Sequence, residues 1–127
     1  MASHEEAMSL STKEVVARLI DILGLSLVAT LTGVSETRAV QQWTRGREPQ
    51  RPQLLRFALQ LALMITAAKD GTVARAWFQG SNPHLNDQSP AEMMRTMKLS
   101  EIQGSLIAAA RAFAARPSDK SQPNSQD

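Results

Sequence analysis

The strongest constraint on the fold comes from residues 53–69, which form a helix that is apolar on almost every side. Its apolar residues are Leu54, Leu55, Phe57, Ala58, Leu61, Met64 and Ile65. A helix of this kind has to lie in the centre of a fold, covered by other elements. Its most apolar part, residues 57–68, is shorter than the roughly 20 residues of a membrane span. We therefore expect a central, buried helix, ended by Gly71.

Shorter helices are predicted on both sides of this segment, because helix-capping serines and helix-ending glycines recur at short intervals. The predicted caps are Ser11, Ser26, Ser35, Ser89 and Ser100; the predicted stops are Gly24, Gly33, Gly46 and Gly71. Ser11 and Ser89 are each followed by a glutamate three residues later, which is the capping-box pattern. No segment of useful length alternates as a strand does, so we predict an all-α fold.

The predicted organisation has four parts. Residues 1–10 form a disordered arm and residues 11–52 a helix-turn-helix. Residues 53–116 form a compact helical unit that shares the central helix, and residues 117–127 form a polar, disordered tail.

Composition argues against catalysis. The chain has no cysteine and only two histidines, His4 and His84, which lie far apart in sequence. The serines lie at predicted helix caps, where capping explains them, and no glycine-rich phosphate loop occurs. We expect no enzyme activity, no metal and no cofactor. Glu5 and Glu6 stand where a secretory signal would be basic, so we expect a cytoplasmic protein with no membrane association.

Positive charge is concentrated just before the central helix. Residues 36–56 carry five arginines against two glutamates, a net charge of +3, whereas residues 1–30 sum to −2. Arginine is well suited to bidentate contacts with phosphate and guanine. The cluster therefore indicates either a nucleic-acid surface or a solvated basic face.

Residues 26–46 carry the pattern of a helix-turn-helix. Ala29 is a small residue where two helices would pack closely, and Gly33 can take the positive φ of the turn. Val40 and Trp43 would face inward. The residues predicted to face DNA are Ser35, Glu36, Thr37, Arg38, Gln41, Gln42, Thr44, Arg45, Arg47 and Arg51. Among them Arg and Gln side chains can read base edges, and Thr44, Arg47 and Arg51 would contact phosphates.

One spacing is unusual, since Val40 follows Gly33 by seven residues where six are typical. Either the turn is one residue longer, or Ala39 takes the inward position and the helix is rotated. We favour the longer turn, because it keeps Val40 and Trp43 on the same inner side.

The second half of the chain adds a resemblance. The helix-turn-helix, the apolar central helix and the segment AWFQGSNPHLNDQSPAEMMRT resemble the Xre/MbcA/ParS antitoxins, over roughly residues 11–116. The most specific part runs from Trp77 through Asn82, Pro83 and Leu85 to Pro90. Asn86 or Asp87 stands where the family commonly has glycine.

This resemblance implies an antitoxin that binds a RES-domain, NAD-consuming toxin and represses its own operon. It assigns Trp77, Phe78, Asn82, Pro83, Leu85 and Pro90 to the toxin-binding domain, where several would serve packing or turns. In some family members the C-terminal end enters the toxin's active site, so the tail here either does so or is inert.

Two other functions remain open: a stand-alone regulator without a toxin, and an interaction adaptor that has lost DNA binding. Since helix-turn-helix proteins usually read two half-sites as dimers, we expect a homodimer or a toxin-linked assembly. The central helix and the Ala-rich last helix are the predicted interface.

Overall fold

A computed structural model describes residues 10–117, which contain seven α-helices, one short 3₁₀ turn and no strand. The helices are α1 (Thr12–Leu23), α2 (Leu25–Thr32), α3 (Thr37–Thr44), α4 (Pro52–Thr66), α5 (Gly71–Gln79), α6 (Pro90–Thr96) and α7 (Leu99–Ala115); the 3₁₀ turn is Pro83–Leu85. The all-α prediction is confirmed for this part of the chain. The predicted arm 1–10 and tail 117–127 lie outside the described residues, except for Leu10 and Pro117.

Helix α4 is the centre of the core, as its sequence predicts. Nine of its 15 residues are buried, and α1, α5 and α7 pack against it. Burying a leucine or phenylalanine side chain stabilises a fold by about 1.5–3 kcal/mol, so α4 is the largest single contribution to the core. No single helix among residues 10–117 is long and apolar enough to cross a membrane; only α1 and α2 together, bent by 118°, reach that length and composition.

The two halves of the chain share one core. Besides the contacts that α4 makes, α1 packs against α5, and α2 packs against α6. The buried residues of α1 to α7 belong to a single cluster. Residues 11–52 and 53–116 are therefore two surfaces of one folded body, and neither has a separate hydrophobic core within the described residues.

Two predicted helix starts are confirmed by their hydrogen bonds. Ser11 Oγ accepts from the Glu14 N–H at 3.2 Å, and the Ser11 N–H donates to Glu14 Oε1 at 2.9 Å, which completes the capping box. These two bonds lower the pKa of the Glu14 carboxyl, the bond from the Ser11 backbone more than the bond with the Ser11 side chain. Ser89 Oγ accepts from the Glu92 N–H at 3.1 Å, with Pro90 as the first residue of α6.

Three predicted caps are wrong. The N-cap residues of α2, α3 and α7 are Gly24, Glu36 and Lys98, none with a side-chain cap bond, whereas the prediction named Ser26, Ser35 and Ser100. Each serine lies within two residues of the true cap. Packing of the neighbouring apolar residues, rather than the hydroxyl, sets where these helices begin.

The boundary between α4 and α5 also differs from the prediction. Gly71 does not end α4, which stops at Thr66; it begins α5 instead. Asp70 caps α5, its Oδ1 accepting from the Val73 N–H at 3.0 Å. At the other end Pro52 is the first residue of α4 rather than part of a loop, a position where proline is favoured because its missing N–H has no partner there anyway.

Two arginines of the basic cluster are structural. Arg51 is half-buried, and its guanidinium donates to the carbonyls of Met94 at 2.9 Å and Met97 at 3.4 Å, at the end of α6. Arg56 donates to the Leu10 carbonyl at 2.7 Å and to Thr12 Oγ1 at 3.3 Å, at the start of α1. Both side chains connect the N-terminal end of α4 to segments far away in sequence, the end of α6 and the start of α1.

We predict that Arg51→Ala lowers the free energy of unfolding by about 1–3 kcal/mol, because two partly buried carbonyls lose a charged donor. Arg47→Ala is the matched control, since Arg47 is exposed and a surface change of this kind is usually within about 0.5 kcal/mol. Urea unfolding followed by circular dichroism measures both. Equal effects of the two substitutions would contradict the structural role of Arg51.

Candidate functional site

A tight turn at Gly33 joins α2 to α3. Gly33 takes a left-handed conformation (φ 82°, ψ 12°), and its N–H donates to the carbonyls of Ala29 at 3.0 Å and Thr30 at 3.1 Å. The Val34 N–H also donates to Ala29, at 3.1 Å. These bonds satisfy the last carbonyls of α2, and they fix the direction in which the chain leaves that helix.

The inner side of α3 is set by two residues. Val40 is fully buried and Trp43 is only 6% exposed, whereas Ala39 is half-buried. Residues 33–36 form the connection, so the turn is the longer of the two alternatives and Val40 takes the inward position. The rotation of α3 about its own axis follows from these two contacts, which point its opposite side to solvent.

The outer side of α3 is polar and exposed. Thr37, Arg38, Gln41 and Arg45 all lie on it. Spacings of three, four and seven residues place them on one face of a helix. Neither the Arg38 nor the Arg45 side chain makes an ion pair or hydrogen bond with any residue from 10 to 117. Their guanidinium groups are therefore available to a ligand.

The other residues predicted to face DNA differ in their surroundings. Ser35 and Glu36 are exposed beside the start of α3, and Arg47 is exposed beyond its end. Gln42 and Thr44 are half-buried; Gln42 accepts a hydrogen bond from Arg47, and Thr44 Oγ1 donates to the Gln41 carbonyl at 2.6 Å. Arg51, predicted to contact phosphate, is instead bonded to the end of α6.

A second structured surface is the loop from residue 80 to residue 89, organised by Asn82. The side-chain Oδ1 of Asn82 accepts from the His84 N–H at 2.9 Å. The backbone carbonyl of Asn82 accepts from the N–H groups of Leu85 at 2.9 Å and Asp87 at 2.8 Å. The Asn82 N–H donates to the Gln88 carbonyl at 3.1 Å. Asn82 is 8% exposed, so this buried polar residue is satisfied by four bonds and holds the loop in one shape.

Two consecutive residues of this loop have a left-handed backbone. Asn86 has a φ of 57° and Asp87 a φ of 65°. Asparagine and aspartate tolerate this region better than other residues with a side chain. Asn86 or Asp87 stands where the resembled family commonly has glycine, and both residues have a backbone conformation that glycine also adopts.

Most residues that the resemblance assigns to toxin binding lie inside the fold. Trp77, Phe78, Leu85 and Pro90 are buried, as is Asn82, and only Pro83 is exposed. They shape the surface rather than form it. The exposed residues of the loop are Ser81, Pro83, His84, Asn86, Asp87 and Gln88. His84, Phe113 and Arg116 lie around one groove. The sequence does not predict this group, because only the folded chain brings the three residues together.

Searches against protein-family models, curated proteins and solved structures find no match to this chain. The features that bear on function are therefore the exposed residues of α3, the 80–89 loop and the resemblance stated from the sequence.

We predict that Asn86→Gly leaves the free energy of unfolding unchanged or raises it slightly. Asn86→Ala should lower it by up to about 1–2 kcal/mol, because alanine keeps the Cβ that disfavours a left-handed backbone and lacks the polar group with which asparagine offsets that cost. Gln88→Ala, at a neighbouring exposed position of ordinary backbone conformation, is the control. Thermal unfolding compares the three variants. A loss with glycine as large as that with alanine would mean that the Asn86 side chain, not its backbone, is what matters.

Proposed function

We propose that this protein is an antitoxin that binds operator DNA through α3 and a RES-domain toxin through its C-terminal half. The observation that carries the DNA-binding part is the exposed face of α3, with Arg38, Gln41 and Arg45 turned away from the core by the burial of Val40 and Trp43. This is the arrangement that a recognition helix needs: one side fixed by packing, the other polar and unoccupied.

The dimensions of α3 support this proposal. A helix with its side chains is about 10–12 Å in diameter, which fits a major groove about 12 Å wide, and the eight residues of α3 would extend about 12 Å along it at 1.5 Å per residue. Arg38 and Arg45 are two turns apart on the exposed face, with Gln41 between them. Arginine pairs with guanine and glutamine with adenine, while Arg47, exposed beyond the end of α3, would contact a phosphate.

The toxin-binding part of the proposal is supported by the resemblance and by the construction of the 80–89 loop. A loop held by four hydrogen bonds at Asn82 and by two left-handed residues presents its exposed side chains in a fixed arrangement. Such preorganisation lowers the entropy lost on binding a partner.

Reading DNA by half-sites would require a dimer. Of the two dimer surfaces that the sequence predicts, the central helix and the last helix, only one is exposed. Helix α4 cannot supply it, because its apolar residues are covered within the chain. The exposed side of α7, which includes Gln103, Gly104, Ala108 and Arg111, is the remaining surface of the two that the sequence predicted.

We predict that Arg38→Ala and Arg45→Ala each weaken binding to the DNA upstream of the protein's own gene by about 1–3 kcal/mol, the value of one base contact. Arg75→Ala is the matched control, an exposed arginine on α5, away from both α3 and the exposed side of α7. Electrophoretic mobility shift measures all three, and binding should fall steeply as salt is raised. Absent binding, or binding indifferent to salt, would favour the interaction adaptor.

We predict that co-expression of this protein with a RES-domain toxin encoded beside its gene restores growth and cellular NAD. The two proteins should also purify together. Arg38→Ala should keep this neutralisation, since α3 lies apart from the 80–89 loop in the proposal. Failure of the wild-type chain to neutralise such a toxin, with DNA binding intact, would leave the stand-alone regulator as the function.

A further inference from the structure

An open groove lies between α5, α7 and the start of the 80–89 loop. It has a volume of about 500 Å³, within the range of roughly 300–1,000 Å³ typical of ligand sites. It is lined by Val73, Ala76 and Trp77 of α5 and by Ala109 and Phe113 of α7. Pro83 and His84 close one end. Most residues that line the groove are exposed, so it is a cleft open to solvent rather than an enclosed cavity.

The floor of the groove is aromatic. The rings of Trp77 and Phe113 lie 6.5 Å apart at an angle of 39°. Trp77 is 6% exposed, and its indole N–H has no hydrogen-bond partner among residues 10–117. An unsatisfied buried donor is rare in folded proteins. This one belongs to a ring that lines an open cleft, which singles the cleft out from the rest of the surface.

The charge around the groove has one sign. Arg116 lines it, with its guanidinium carbon 5.8 Å from the centre of the Phe113 ring. Lys69 Nζ lies 5.6 Å from the same ring and donates to the Arg116 carbonyl at 2.7 Å. None of the lining residues is acidic. An apolar floor beside two cations suits an occupant that is apolar in the middle and anionic at its edge.

We propose that this groove binds an acidic segment of a partner protein, with an apolar side chain against Trp77 and Phe113 and a neighbouring carboxylate at Arg116 and Lys69. The inference rests on the proposed function only in that the C-terminal half binds a protein. It names the chemistry of the segment bound: an aromatic or aliphatic residue flanked by aspartate or glutamate. The openness of the cleft fits a protruding side chain of a larger partner better than a small molecule, which needs enclosure on most sides.

The test is a titration of the full-length ¹⁵N-labelled chain, followed by the two tryptophan indole signals. The probes are the capped pentapeptides Gly-Asp-Phe-Asp-Gly and Gly-Lys-Phe-Lys-Gly, and phenylacetate as a free carboxylate. The acidic peptide should shift the Trp77 indole signal saturably at millimolar concentration. The Trp43 signal, from the inner side of α3, should stay in place, and the lysine peptide should have no effect.

Matched charge variants tie the effect to the groove. Arg116→Ala should lower the affinity for the acidic peptide about two- to fivefold, the range expected for an exposed ion pair. Arg75→Ala, on α5 but outside the groove, should not. No shift of Trp77 with the acidic peptide overturns the proposal, as do equal shifts with both peptides. Tighter binding of phenylacetate would make it a small-molecule site, and contacts of Trp77 with residues 118–127 in the free chain would make the tail its occupant.

Toxin neutralisation separates this inference from the proposed function. If the wild-type chain neutralises a toxin while Arg116→Glu and Arg75→Glu both do so equally, the groove is not the partner site and the antitoxin function stands. If the wild-type chain neutralises nothing but the acidic peptide still binds at Trp77, the groove stands and its partner is a different protein.

Discussion

The burial of α4 is the constraint on which the rest of the structure depends. A helix that is apolar on almost every side cannot lie at a surface, so the other helices are arranged to cover it. Helices α1, α5 and α7 do so directly, and their outer sides become the surface of the protein. Both candidate sites are consequences of this arrangement, because each is formed by helices that use their inner side for the core.

The same arrangement joins the two sites mechanically. Helix α2, which leads into α3, packs against α6, and Arg51 bonds to the carbonyls that end α6. The 80–89 loop leads directly into α6 through Ser89 and Pro90. A partner that moved this loop would therefore act on a helix in contact with α2, although the core that the halves share resists independent motion.

Local chemistry explains which parts of the fold could be predicted from the sequence. The all-helical class, the central helix, the Ser11 and Ser89 caps and the left-handed Gly33 all depend on residues close in the chain. The inward position of Val40 could be chosen because Trp43, three residues on, needs the same side. Asn86 and Asp87 were recognised as residues that tolerate the backbone of glycine.

Other features depend on contacts between distant residues, and the sequence does not reveal those. In the sequence Arg51 is one of five equivalent arginines. It is structural because its guanidinium reaches the carbonyls of Met94 and Met97, which lie 43 and 46 positions further along the chain. Gly71 can end one helix or begin the next, and Asp70 decides in favour of the second. The groove combines Trp77 with Phe113 and Arg116, which no spacing rule brings together.

In the proposed function one core presents two separate surfaces, the outer face of α3 for DNA and the C-terminal groove for a protein. A titration of the ¹⁵N-labelled chain with its own operator duplex distinguishes the two surfaces. We expect shifts of backbone amides in residues 35–47, while the Trp77 indole signal keeps its position. Shifts centred on the 80–89 loop or α7, with α3 unaffected, would contradict this proposal.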